Sequence, residues 1–330
     1  MTVRRALPAC LVAAALLISG CGGTGEGSGA DSGRSAAAAP GFPVPMDNCG
    51  VKTTYKAPPR RAVALNQQAT EVMLALGLQG SMVGTGYLDD RVLPAYQAAY
   101  DKIKVISKEY PSYERLLAAE PDFVYGGFTS TFDEKEGRGR AVLAKAGIAT
   151  YLNLEACPSG PVTTARMDEE IRNIARIFGV PGRGEQEIAK LHATLDAVRA
   201  KISGVRPVKV AVYDSGDKTV FTAGGAGVGN EMIRLAGAVN LFAGVGKAFG
   251  DVSFEQFAER APEVIVIYDY GDQTADAKKR FLLGNPAFKD VPAIRNKRFA
   301  VLPLSSTVLG VRVPSGVESL ARQLHPDRFR

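Results

Sequence analysis

The side chains with chemistry to offer stand where short apolar runs end. Asn66 follows AVAL, Tyr87 follows SMVGTG, Phe128 follows DFVYGG, Tyr213 closes VKVAVY, and Tyr268 and Tyr270 close VIVIYDY. Arg312 ends the segment SSTVLGVR. In open α/β sheets, ligands bind outside the carboxyl ends of the strands. Aromatic faces, phenols, an amide and one guanidinium at such ends form a set that stacks on flat surfaces and hydrogen-bonds polar edges. It suits a chelate or a heterocycle. Each tyrosine has core packing as its other reading, and Arg312 has a surface or interlobe salt bridge.

Other chemistries have little material. The chain has 2 histidines, and no Gly-x-Ser-x-Gly elbow occurs, so a Ser-His-Asp triad cannot readily be assembled and no enzyme is expected. Two histidines do not make the nitrogen-rich cage that a bare transition metal prefers. Any metal is therefore expected to arrive already chelated, with no resident cofactor. The stretch TAGGAGVGNEM places Asn230 where a dinucleotide loop needs its last glycine step, and no cofactor-reading acid follows at the usual distance. It reads instead as a mobile cleft-edge loop with consecutive amides free for an anion. Lys and Arg are scattered under a net charge of +6, which gives no nucleic-acid footprint.

These residues need a scaffold, and the sequence supplies one twice. YERLLAAEPDFVY at residues 113–125 and FEQFAERAPEVIVI at 254–267 share a template: aromatic, Glu, an apolar residue two positions on, then Pro, an acid and a β-rich run. TEVMLALGLQGSM and NEMIRLAGAVNLF match likewise, with Glu71 to Gly77 spaced as Glu231 to Gly237. The first copy carries additional residues at 84–102. Short apolar strands alternating with helices imply parallel βαβ units. Between the copies, EQEIAKLHATLDAVRAKI keeps a helical period with Ile188, Leu191, Leu195, Val198 and Ile202 on one stripe. It reads as a rigid connector, with His192 a surface or packing residue beside the stripe. The expected fold class is α/β: two similar lobes with mainly parallel sheets joined by one long helix.

With 330 residues, 46% apolar and 22% charged, the chain is long enough for two medium cores. The expected domains are a leader at 1–21, a tether at 22–45, an N-terminal lobe at 46–180, the connector at 181–204 and a C-terminal lobe at 205–330. Residues 1–21 have a positive start, an apolar run too short to span a bilayer comfortably, and a small-residue end. That end, Ile18-Ser19-Gly20-Cys21, resembles the bacterial lipobox, which makes Cys21 the lipidation site and an extracytoplasmic, membrane-anchored protein the expectation. The Gly, Ser, Ala and Pro tether would let the body range about 25 to 30 Å from its anchor. Of the 4 cysteines, Cys49 and Cys157 then remain in the body; in an oxidising compartment they are expected to pair, with two buried thiols as the other reading.

PPRRAVALNQQATEVMLALGLQGSMVG, YPSYERLLAAEPDFVY and DVSFEQFAERAPEVIVIY, in this order, resemble the Fe3+-siderophore and cobalamin group of ABC-transporter substrate-binding proteins, of the class III periplasmic-binding-protein fold. The similarity runs from Cys49 to Leu324. It implies a monomer that takes a small-molecule ligand between two lobes, closes only slightly, and delivers it to a permease with its ATPase. Under the resemblance, Glu114 and Glu255 are the acids that dock on permease arginines, one per lobe; from the template alone they are helix-initiating acids. Arg312 resembles cleft arginines that contact anionic ferric chelates. A ferric siderophore-type chelate is the expected ligand, with cobalamin, haem or another heterocyclic cofactor as alternatives, and a non-transport receptor as an alternative role. One departure is the absence of tryptophan, which such pockets often use.

Overall fold

A computed structural model describes residues 39–157, 160–271 and 274–330. The leader, Cys21 and most of the expected tether lie outside the described residues. The first elements are an antiparallel hairpin, β1 (Val44–Asn48) and β2 (Val51–Tyr55), closed by Cys49 and Gly50 at φ 52° and 81°. Two consecutive positive φ angles are the geometry that matches strand twist in a two-residue hairpin turn. The sequence reading placed Val44 and Pro45 in the tether and Cys49 ahead of the first strand; the alternating VKTTY after Cys-Gly was the overlooked signal. Cys157 pairs with Cys49 in a disulfide across 108 residues. Asn48 reinforces that junction, exchanging hydrogen bonds with Leu152 through both ends of its amide.

The N-terminal lobe is a parallel sheet of β3 (Ala62–Leu65), β4 (Met82–Gly86), β5 (Val105–Ser107), β6 (Phe123–Gly126) and β7 (Ala149–Leu152), in the order β5-β4-β3-β6-β7. The register aligns Leu65 with Gly86 on one side and Gly126 on the other, and Gly126 with Leu152. One row of strand ends therefore forms a single edge. In the C-terminal lobe, β8 (Val208–Tyr213), β10 (Ala238–Asn240), β12 (Val264–Asp269) and β13 (Phe299–Pro303) form a parallel sheet ordered β10-β8-β12-β13. The strands β9 (Val220–Ala223) and β11 (Phe249–Val252) add an antiparallel ribbon. The order β4-β3-β6-β7 repeats as β10-β8-β12-β13, and β5 is the extra strand that follows the longer crossover of the first lobe. Chain order reverses between β3 and β6, and again between β8 and β12. Each lobe thus has one topological switch point, the place where open sheets part to admit ligands.

The doubled template has a structural cause. Ser112 and Ser253 cap the helices Tyr113–Leu117 and Phe254–Glu259, accepting from Arg115 N and Gln256 N. In the turns after the helices, Glu120 and Ala261, at φ angles of 47° and 49°, reverse the chain. Proline follows because it cannot continue a helix. The acid after it pins the start of the adjacent strand: Asp122 accepts from Arg60 N and Arg61 N, and Glu263 accepts from Lys209 N. Gly77 and Gly237, at φ 66° and 76°, end the other pair of matched helices.

The long helix spans Pro181–Lys201 and buries Ile188, Leu191, Leu195 and Val198, while Ile202 becomes its C-cap and is only part-buried. It packs on the helix Thr164–Ile177 and on the C-terminal helix Val313–Leu324. His192 bonds Asp168 of the first of these at 2.9 Å, a packing role. Within the additional residues of the first copy, the chain forms a 3-10 turn, Pro94–Tyr96, and a short helix, Gln97–Tyr100.

Candidate ligand cleft

Beyond the strand ends of the N-terminal lobe, Asn66 leaves β3 at φ 77°, ψ 160°, a region that side chains other than glycine rarely occupy. Holding it there costs about 1–3 kcal/mol, supplied by surrounding bonds. Its amide N–H donates to Gly86 O, and its side-chain oxygen accepts from Tyr110 and Thr131, each at 3.1 Å. Tyr87 leaves β4 at φ 52° and meets the Tyr110 ring edge-on, centroids 4.5 Å apart. Burial and the nearby Glu109, Tyr110 and Asp89 raise the Tyr87 phenol. Phe128, half-buried, opens the turn that delivers Thr131. Asn66, Tyr87 and Phe128 thus belong to one aromatic and amide wall. Tyr110 is its missed member; it follows β5, a strand end that supplied nothing to the sequence set.

On the facing lobe, Tyr270 donates to Asp214 Oδ2 at 3.2 Å and has the Lys278 ammonium 4.2 Å from its ring centre. Burial, then the Asp214 carboxylate, pushes the Tyr270 phenol up to about 12, with Asp89 of the other lobe adding to it. Lys278 is buried on the inner face of the helix Ala275–Gly284 and donates to Tyr268 O at 2.6 Å. Burial pulls its pKa down, against the pull of Asp214 and Asp269. Its signal was a lysine in register with Ala275 and Leu282 on an apolar stripe. Tyr213 is nearly buried, donates to Gly216 O at 2.6 Å and lines, with Lys278 and Phe281, a cavity of about 510 Å³.

Tyr268 and Arg312 are corrected. Tyr268 is 1% exposed, packed in the core, with a hydroxyl so close to Gly229 that a Cβ there would stand 2.6 Å from it. Arg312 is 6% exposed and has no donor left for a ligand in this conformation. Nε and Nη2 grip Glu71 at 2.6 and 2.7 Å, Nη1 reaches Asp90 at 3.1 Å and Ser305 at 3.0 Å, and Nη2 also donates to Arg91 O. A guanidinium offers five N–H groups, and all are engaged. The pair joins the lobes, which was its other reading. A second interlobe tie runs through Glu155, whose carboxylate accepts from Val228 N at 2.9 Å and Leu309 N at 2.6 Å.

The glycine stretch is also corrected. Gly224, Gly225 and Ala226 donate to the carbonyls of Ala248, Val245 and Lys247, and Val228 N is held by Glu155. A Cβ on Gly225 would lie 2.1 Å from Ala243 O. These glycines let two backbone segments touch, and their amides are not open to an anion.

Between the lobes, Asp89 and Asp90 from beyond β4 face Asp269, Tyr270, Gly271 and Thr274, with Pro303, Leu304 and Ser305 from the end of β13 completing a cavity of about 420 Å³. This is within the range of small-ligand sites. Burial, then Asp90 and Glu109, raises the Asp89 carboxyl. The buried Asp214 Oδ1 and Gln68 Oε1 have no hydrogen-bond partner. Glu114 and Glu255 lie elsewhere, exposed at the second position of their matched helices, and the helix amides with Ser112 and Ser253 hold both carboxyls low. Among the described residues no group of His, Cys, Asp and Glu could hold a metal ion, and no helix is long and apolar enough to cross a membrane.

Two α/β lobes, a long connecting helix and a cleft at paired switch points define a binding protein of the substrate-capture type. Residues 63–305 match the family model "Periplasmic binding protein", and the chain belongs to that family. Members of the family are substrate-binding proteins of ABC importers, which bind small-molecule ligands and work with a membrane permease. The chain is 25% identical, over all of both chains, to an ABC transporter substrate-binding lipoprotein, YvrC, of Bacillus subtilis (strain 168). It is 25% identical to a vitamin B12-binding protein of Vibrio parahaemolyticus, over 64% of this chain and 72% of that one. The crystal structure of an ABC-type Fe3+-hydroxamate transport system from Saccharomonospora viridis covers 86% of this chain and 99% of its own, with TM-score 0.73 and 25% identity.

Proposed function

We propose that this protein captures a ferric siderophore-type chelate, of the hydroxamate kind, in the cleft between its lobes and hands it to an ABC permease. The observation that carries the reading is the cavity where the strand ends of both sheets meet, Asp89 and Asp90 on one side and Tyr270 and Ser305 on the other. The aromatic and amide wall of Tyr87, Tyr110, Asn66 and Phe128 supports a ligand with flat faces and polar edges. The similarity to the hydroxamate system supports the chelate class. Cys21 would carry the lipid that keeps the body at the membrane surface, and Glu114 and Glu255 would make the permease contacts. A corrinoid is the second reading, favoured by the similarity to a vitamin B12-binding protein.

A thermal-shift screen of the purified protein against ferric trihydroxamate, ferric catecholate, ferric citrate, cobalamin and haem tests the assignment. A ligand that binds only the folded state raises Tm by mass action. The expected result is a rise with a ferric chelate. A response to cobalamin with none to any iron chelate moves the assignment to a corrinoid, and no response at all overturns the cleft reading.

A further inference from the structure

The charge of this cleft restricts the cargo further, on the reading that the interlobe cleft is the binding site. Among the described residues that line the cavity are three carboxylates, Asp89, Asp90 and Asp269, and neither lysine nor arginine. Asp90 is paired with Arg312, but Glu71 shares that same arginine, so the cluster keeps a negative excess. The neighbouring cations are already engaged by the protein, and the Lys278 charge that acts on Asp214 and Asp269 is one against two carboxylates. All donors of Arg312 are occupied; Lys278 is buried, donates to Tyr268 O and rests against the Tyr270 ring; Arg138, behind Tyr110, donates to the carbonyls of Thr131, Pro111 and Ser130. Arg91 is exposed and is not among the lining residues.

An independent observation points the same way. Asp214, 4% exposed, presents Oδ1 with no donor, while its other oxygen accepts from Tyr270, which lines the cavity. A buried carboxylate oxygen without a donor is costly. The Lys278 charge acts on this carboxylate without donating a hydrogen bond to Oδ1, and an ionised aspartate can accept only, so a hydrogen-bonding partner for Oδ1 must bring an N–H or an O–H. Its neighbour Tyr270 is already a donor to it and offers an incoming group only an acceptor.

We infer that the cargo meets this cleft through a neutral or cationic face bearing hydrogen-bond donors, and that chelates presenting carboxylates or catecholates there are rejected. Amide-bearing trihydroxamate chelates and corrinoids meet the condition; ferric catecholates, ferric citrate and haem with its propionates do not. Like charges facing one another across a cleft act as the repulsive element of a specificity device.

The test compares two ligands that differ only in charge: a linear ferric trihydroxamate with a terminal ammonium, and the same chelate with that amine succinylated to end in a carboxylate. Titration calorimetry on the purified protein should find the ammonium form tighter by about tenfold or more. In the double variant Asp89→Asn, Asp269→Asn, the ratio should shrink to about threefold or less. Asp89→Asn alone, which leaves the Asp269 bond to Ala275 N in place, should shrink it part-way if the double variant does not fold. Equal or tighter binding of the succinylated form, or a ratio unchanged in the variants, overturns the charge rule while leaving the cleft reading intact. So does binding of ferric catecholate, ferric citrate or haem in preference to the trihydroxamate. If only cobalamin binds, the rule stands and the chelate assignment falls; if nothing binds, both fall.

Discussion

Arg312 of the C-terminal lobe and Glu71 of the N-terminal lobe share two hydrogen bonds, at 2.6 and 2.7 Å, with both side chains almost fully buried. The pair stands beside the cleft and ties one lobe to the other, and Asp90 and Ser305 extend it. It adds a buried side-chain tie between the lobes to the connection made by the long helix. It also means that the only arginine at a predicted ligand position acts on the protein itself.

Replacing Arg312 alone by Ala should therefore destabilise the protein by about 3–5 kcal/mol, because Glu71 is left buried without its partner. The double variant Arg312→Met, Glu71→Leu should recover most of that loss, since apolar groups of similar volume remove both desolvation penalties. Urea denaturation of the three proteins checks this. Equal losses in the single and double variants would show that the pair contributes by packing and not by charge.

The carboxylate of Glu170 gives stability a pH dependence. It is fully buried and accepts from Tyr125 and Tyr151 hydroxyls, Asn153 Nδ2 and Leu154 N, yet burial outweighs these donors and pushes its pKa up to about 7. A folded pKa above the unfolded one means that the folded state binds the proton more tightly. The contribution is complete below the unfolded pKa and is lost as pH rises through about 7. The loss amounts to about 3 kcal/mol across that window. Urea midpoints measured from acid to mildly alkaline pH should fall across it in the wild type. In Glu170→Gln that component of the slope should vanish, whatever the offset in absolute stability.

Much of this architecture was legible in the residues, for identifiable reasons. The doubled Glu-to-Pro template encodes a capped helix and a reversal at positive φ, both local in sequence, and then an acid whose strand partner lies 54 to 62 residues away. The strand ends followed from apolar runs, so Asn66, Tyr87, Phe128 and Tyr270 were found where the chain leaves the sheets. What escaped was long-range or disguised. Glu71 read as a helix marker, and its arginine lies 241 residues away. Lys278 stands beside Lys279 in the sequence, and only the helix face shared with Ala275 and Leu282 shows that it is buried. Gly225 suggested a mobile loop, whereas its missing Cβ makes room for Ala243 O. Alternation cannot reveal which neighbour a backbone will touch.

The disulfide should matter more than its place at the edge suggests. Cys49 and Cys157 close 108 residues that include the whole N-terminal sheet. In the chain-entropy model a loop of that size contributes about 4–5 kcal/mol by restricting the unfolded chain. Cys49→Ser, Cys157→Ser should lower the unfolding free energy toward that extent without altering ligand affinity, since neither cysteine lines the interlobe cavity. A loss of affinity larger than the loss of stability explains would place the hairpin in the binding machinery.

Glu114 and Glu255 occupy equivalent helix positions in the two lobes, exposed, and away from the residues that line the cleft. Acids at helix starts can serve the helix alone, and that role predicts only a small effect on stability when either is removed. Permease docking predicts something a helix cap does not: a defect in uptake that appears only when the membrane partner is present. Glu114→Ala, Glu255→Ala should keep the ligand Kd of the wild type and keep Tm close to it, while transport into cells or into vesicles carrying the permease falls to background. Each single variant should fall between, because two charges on separate lobes fix orientation as well as attraction. The wild-type rate should also decline with added salt, and the double variant should not, since exposed charges are screened within about 8–10 Å at physiological ionic strength. Undiminished uptake by the double variant would return both glutamates to the helix-cap role.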